Sequence, residues 1–174
     1  MIIVFGGFPG TGKTTISKQI AQHFSAVYLR IDSIEQSLKN IQNITDLPIG
    51  SEGYFIANSI ALDNCFLGNN IVIDCVNPLP ITRQVWQETA NKTHQQLITI
   101  ELICSDRQQH RQRIIKRKSD IFGLTQPNWN DIINRNYVPW DHANITIDTS
   151  FYTIEQSTKK ILSYIRNENN PPLI

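Results

Sequence analysis

Eight consecutive residues near the start of the chain, Gly7-Phe8-Pro9-Gly10-Thr11-Gly12-Lys13-Thr14, have the types and spacing to hold a polyphosphate. They match G-x-x-x-x-G-K-[ST] without a mismatch, between a short apolar run, Ile2 to Phe5, and a stretch with helical periodicity, Thr14 to Phe24. In that setting the glycines let successive backbone N–H groups turn inward as an anion nest, at the positive end of the helix that Thr14 begins. Lys13 supplies a mobile charge for the β and γ phosphates, and the Thr14 hydroxyl is a hard oxygen ligand suited to Mg²⁺. Gly7, Gly10, Thr11, Gly12, Lys13, Thr14 and Thr15 are the expected nucleotide-binding residues, with ATP and Mg²⁺ as cofactors.

Asp32 and Asp74 each follow an apolar run, and in an open parallel sheet ligands bind beyond the carboxyl ends of the strands. A hydroxyl that accepts a phosphoryl group must be oriented and relieved of its proton, which a carboxylate within hydrogen-bond reach can do. Asp32 is the expected base, and Asp74 the expected indirect holder of Mg²⁺ or contact to the acceptor. The plainer alternatives are an N-cap at Asp32, boxed with Glu35, and a structural strand-end acid at Asp74. Asn77 and Arg83 are candidates for the acceptor side, against turn chemistry before Pro78 and a solvated first helical turn. Further on, His110, Arg113 and Arg117 at i, i+3, i+7 would share one face of a basic helix, and Arg forks neutralise charge on transferring phosphoryl oxygens. A solvated cationic helix or a nucleic-acid patch would read the same way.

Other phosphate-loop proteins fit less well. Guanine recognition needs [NT]-K-x-D, and Asn91-Lys92-Thr93-His94 lacks the aspartate. A motor ATPase would need a second domain and a strand ending in Asp-Glu, whereas Cys75 follows Asp74. Length points the same way, since 174 residues amount to one domain, expected over 1–174. With 40% hydrophobic residues the chain reads as globular, and sixteen basic against fifteen acidic residues give a net charge of +1, no global field toward nucleic acid or an anionic membrane. Cys65, Cys75 and Cys104 lack metal spacing and read as buried thiols of a reducing cytoplasm. The apolar start reads as a first strand rather than a signal peptide, and no run is long enough to span a bilayer.

The elements that must position these residues alternate as in α/β folds. Strands are expected at 2–5, 26–31, 71–74, 97–104 and 145–147. Helices are expected at 14–24, from Asp32 to about Leu38, at 54–67, from about Thr82 to His94, at 106–118, near 129–134 and at 153–165. The text from 40 to 53 is polar and broken by Pro48 and Gly50, hence a loop, and 167–174 reads as frayed. Residues 36–68 would form an acceptor-side helical region, and 117–140, broken by Gly123, Pro127 and Pro139, a lid.

These residues resemble the small P-loop kinases grouped with chloramphenicol phosphotransferase, zeta-type toxins, gluconate kinase and the kinase domain of polynucleotide kinase. Gly53-Tyr54, Val72-Ile73-Asp74-Cys75-Val76-Asn77-Pro78, Cys104-Ser105-Asp106, Tyr137-Val138-Pro139-Trp140 and Ile147-Asp148-Thr149 are similar to strings in the uncharacterised members of that group. The resemblance implies a P-loop NTPase three-layer α/β fold whose five-stranded parallel sheet has the order 2-3-1-4-5. It places the acceptor base just after the second strand, at Asp32. Its R-x-x-x-R pair matches Arg113, near the adenine, and Arg117, at the phosphates, and Thr149 would lie by the adenine edge. No Asp-Gly-[Phe/Tyr]-Pro-Arg string follows the third strand, so a small-molecule hydroxyl is the expected acceptor. The alternatives are a nucleotide or polynucleotide 5′-hydroxyl kinase and a nucleotide-binding regulatory or toxin module.

Overall fold

The computed structural model describes residues 1–42 and 51–169. In chain order the elements are β1 (Ile2–Gly6), α1 (Lys13–His23), β2 (Val27–Arg30), α2 (Ile31–Gln42), α3 (Glu52–Phe66), β3 (Ile71–Asp74), α4 (Pro80–Thr93), β4 (Leu97–Ile103), α5 (Arg107–Lys116), α6 (Trp129–Ile133), β5 (Ile145–Asp148) and α7 (Ile154–Asn169). The five strands pair in parallel in the order β2-β3-β1-β4-β5, the P-loop NTPase arrangement.

β1 is buried along its whole length and β3 is apolar up to Asp74, because helices cover both faces of the sheet. Alternate residues of β1 separate into two cores. Ile2 and Val4 pack with Ala57, Ala61, Trp86 and Ala90 of α3 and α4. Ile3 and Phe5 face the other way, toward Ile16 and Ile20 of α1 and Ile161 and Ile165 of α7. Register then sets the functional edge: Phe5 pairs with Asp74 and Asp74 with Arg30, so the ends of β1, β3 and β2 lie level.

Several boundaries differ from the sequence reading. Arg30 is the last residue of β2 and Ile31 the first of α2, so strand passes into helix without a linker. Asp32 therefore sits inside the first turn and is not an N-cap, and the box with Glu35 does not form in that register. The same helix runs to Gln42, and α3 begins at Glu52, which shortens the expected 40–53 loop; its residues 43–50 lie outside those described. Pro80 starts α4 two residues early because its fixed φ suits the first helical position. The basic helix ends at Lys116, with Arg117 already extended (φ −64°, ψ 133°). Asn167 to Asn169 continue α7, while 170–174 lie outside the described residues. Cys65 and Cys75 are buried free thiols, but Cys104, just past β4, is only half-buried. No helix among the described residues is long and apolar enough to cross a membrane.

Candidate active site

One open cavity of about 1070 Å³ lies over the carboxyl edge of the sheet, and its wall includes Gly10, Gly12, Lys13, Thr14 and Thr15 of the phosphate loop. The loop is shaped by close backbone packing. A Cβ at Gly7 would stand 2.0 Å from the carbonyl oxygen of Leu102 in β4, so no larger residue fits while β1 and β4 stay paired. Gly10 and Gly12 hold φ of 84° and 93°, left-handed turns of the kind that shape an anion-binding nest. The Gly7 amide donates to Val76 O (3.0 Å), and the Thr11 hydroxyl to Phe8 O (2.9 Å). Gly7 and Thr11 thus brace the loop from behind and do not line the cavity.

Lys13 is 7% exposed, and its Nζ donates to Phe8 O at 2.8 Å. Burial lowers its pKa to about 8; the negative charges of Asp74 and Asp32 oppose that shift, and the positive charge of Arg117 adds to it. Both sequence-selected carboxylates and Arg117 therefore act on Lys13. Asp32 lines the cavity and makes no hydrogen bond or ion pair among the described residues. Asp74 is 3% exposed; Tyr28 Oη donates to its Oδ2 at 2.7 Å and Arg30 Nε stands 3.8 Å from the same oxygen. Tyr28 and Arg30 reach it together because they point to the same face of β2.

Helix α5 supports the loop from the other side. Asp106 caps it, accepting from the amides of Gln108 and Gln109 at 2.9 Å. His110 is buried and its Nε2 meets Pro9 O at 2.7 Å, with burial pushing its pKa down, so it is a neutral brace and not part of a cationic face. Arg113 lines the cavity and is fixed by Thr149: Nη1 donates to Oγ1 (2.8 Å) and Nη2 to the carbonyl oxygen (2.7 Å). Thr149 itself is 2% exposed, bonded to Ile103 O, and stands behind Arg113 rather than in the wall. Arg117 lines the cavity from just beyond the helix.

Two expected acceptor residues lie elsewhere. Arg83 donates to the carbonyls of Asn77, Pro78, Val138 and Pro139 and stacks 4.8 Å over Trp140, so it fastens the 137–140 segment to the β3–α4 connection. Asn77 is fully buried at φ 52°, its amide N–H bonded to Tyr54 Oη (3.0 Å) and its side-chain amide without a partner among the described residues. Neither lines the cavity.

The sequence reading missed Lys18, Arg30, Glu35, Asp120 and Gln126, all of which line it. Lys18 follows Thr14 at i+4 on one helical face, and Arg30 is a charge ending an apolar strand; both signals were available. Glu35 carries a pKa raised to about 7, by burial first and the charge of Asp32 second. Asp120 bridges Lys18 Nζ and Arg30 Nη1, each at 2.7 Å, and these hydrogen bonds hold its carboxyl well below the usual range.

Among curated proteins, none matches the chain by sequence. Solved structures match its fold. A candidate kinase from Chloroflexus aurantiacus j-10-fl superposes with a TM-score of 0.73 at 16% identity, covering 95% of this chain and 96% of that one. The APS kinase CysC of Mycobacterium tuberculosis in complex with AMPPNP and APS gives 0.67 at 14% identity, covering 95% and 96%. A gluconokinase from Sinorhizobium meliloti 1021 gives 0.66 at 15%, covering 96% and 93%. A family model described as an AAA domain (AAA_33) matches residues 2–136, which span the phosphate loop, Asp32, Asp74 and the basic helix. The chain belongs to that AAA-domain family.

Proposed function

We infer that the protein is an ATP- and Mg²⁺-dependent phosphotransferase that moves the γ-phosphoryl group to a hydroxyl of a small molecule. The observation that carries the reading is that Asp32, unpaired among the described residues, opens into the same cavity as the phosphate loop, near enough to Lys13 to act on its charge. In line with that placement, the acceptor O–H gives its proton to the Asp32 carboxylate as the acceptor oxygen bonds to phosphorus and the bond to the departing ADP oxygen breaks. Lys13 and Arg117 stabilise the charge on the transferring group, and Arg113, held by Thr149, serves the nucleotide end.

The residues present fit the metal: Thr14 lines the cavity, and among the described residues only Oδ2 of Asp74 is engaged, leaving Oδ1 to act through water. Mg²⁺ held there would neutralise the phosphate oxygens. The polynucleotide reading rested on the basic helix, whose His110 and Arg113 are committed to Pro9 and Thr149. Kinases of similar fold in the solved structures support the reading at the level of fold. The test is ADP release across a library of metabolites, antibiotics and nucleotide sugars, with mass spectrometry of the product. Acceptor-dependent release with a mass gain of one phosphoryl group supports the reading; slow basal hydrolysis whatever is added supports a regulatory module instead.

A further inference from the structure

The β2 side of the cavity holds a group that the phosphotransfer reading does not use. Arg30 is a guanidinium 7% exposed, yet its single hydrogen bond among the described residues is Nη1 to Asp120 Oδ1; its Nε stands 3.8 Å from Asp74 Oδ2, too far for a hydrogen bond, and has no hydrogen-bond partner. Beside it Lys18 Nζ takes the other oxygen, Oδ2, of the same carboxylate. Asp120 comes from the 117–140 segment, about ninety positions along the chain from β2, and is itself half exposed. A buried arginine with spare donors, in the wall of a cavity and facing a carboxylate that reaches in from a peripheral segment, is arranged to receive an oxyanion across two cations.

Charge across the cavity points the same way. Nine cationic side chains and five carboxylates line it. A Mg²⁺–ATP complex, with roughly two negative charges, would leave part of that surplus uncompensated. The surplus grows if Asp120 leaves.

We propose that Lys18 and Arg30 form the binding site for an anionic group of the acceptor, a carboxylate or a phosphate, and that the Asp120 carboxylate fills this site as an internal stand-in. The proposal rests on the phosphotransferase reading, and it names the acceptor as an acid that carries a hydroxyl. The acceptor anion takes one hydrogen bond from each cation, as Asp120 does, and Asp120 is displaced when it binds. No bond is made or broken in this exchange; one oxyanion replaces another.

The experiment titrates inorganic phosphate, and separately acetate, into protein saturated with AMPPNP, at constant ionic strength, by calorimetry. AMPPNP fills the phosphate loop, so binding by the added anion reports the second site. Asp120→Asn keeps the shape but removes the competing charge, and should tighten binding of the preferred anion by about 10-fold over wild type. The double variant Asp120→Asn with Lys18→Gln should lose that gain. The better of the two probes identifies the class of the acceptor's anion. The proposal is overturned if Asp120→Asn leaves anion affinity unchanged or weaker, or if the double variant binds as tightly as the single one. In either case the Asp120 bridge only fastens the lid. Failure of AMPPNP to bind would sink the phosphotransferase reading instead, and the single and double variants would still decide the anion site, since both keep the same phosphate loop.

Discussion

The two ends of the cavity are built from different materials. At the phosphate loop the chain path is folded by glycines at fixed positions and braced by His110 on Pro9 and by Val76 on Gly7. On the side proposed for the acceptor, the lining groups are charged side chains from β2, α1, α2 and the 117–140 segment, held by ion pairs such as Arg30 and Lys18 with Asp120. Backbone geometry is set by local sequence and tolerates no change at Gly7, whose missing side chain leaves 2.0 Å to Leu102 O. Side-chain pairs can exchange partners, so the first end suits a constant ligand and the second a selected one.

Breaking the phosphate end should have the largest effect. Lys13→Ala removes the cation of the phosphate loop, so turnover should fall by about 10³-fold or more and ATP binding should weaken as well. Steady-state kinetics with calorimetric ATP titration checks both. Arg117→Ala should lower kcat by roughly 10²-fold and leave ATP affinity near wild type, because charge on the transferred group peaks in the transition state. Arg113→Ala reverses that pattern: with the Thr149 clamp empty, the ATP Kd should rise by about 10-fold and kcat at saturation should change little.

These contrasts also mark what the chain made legible. The phosphate loop was readable from contiguous motif residues and the strands from apolar runs, the strand order came with the family resemblance, and Asp32 and Asp74, chosen for following two apolar runs, both line the cavity. Arg83 and Asn77 were misplaced because their partners, the carbonyls of Val138 and Pro139 and the Tyr54 hydroxyl, come from distant segments. Arg117 was expected on a helical face, but the helix stops one residue earlier. Lys18, Arg30 and Asp120 became a group only through tertiary pairing over roughly a hundred positions, which no local spacing reports.

A smaller effect sharpens the acceptor end. Glu35 faces Asp32 and Lys39 of its own helix, Glu52 of α3 and Arg135 beyond α6. Its pKa is raised from the ordinary 4.5 to about 7, so the folded state prefers the proton. Its stabilising contribution is present below about pH 4.5 and is lost as pH rises through about 7. Glu35→Gln removes the titration. Its Tm should match wild type near pH 5 and exceed it by roughly 3 °C at pH 8, read by calorimetry across that range.

The most direct measurement compares wild type with Asp32→Asn at saturating ATP and with the acceptor found in the library. Asp32 lies inside α2 and makes no hydrogen bond or ion pair among the described residues, so Asn keeps the shape while removing the base and its charge. The account predicts unchanged folding and ATP affinity with phosphoryl transfer reduced by about 10²- to 10⁴-fold. Near wild-type transfer by Asp32→Asn, with its fold and ATP binding intact, would contradict the assignment of Asp32 as the base.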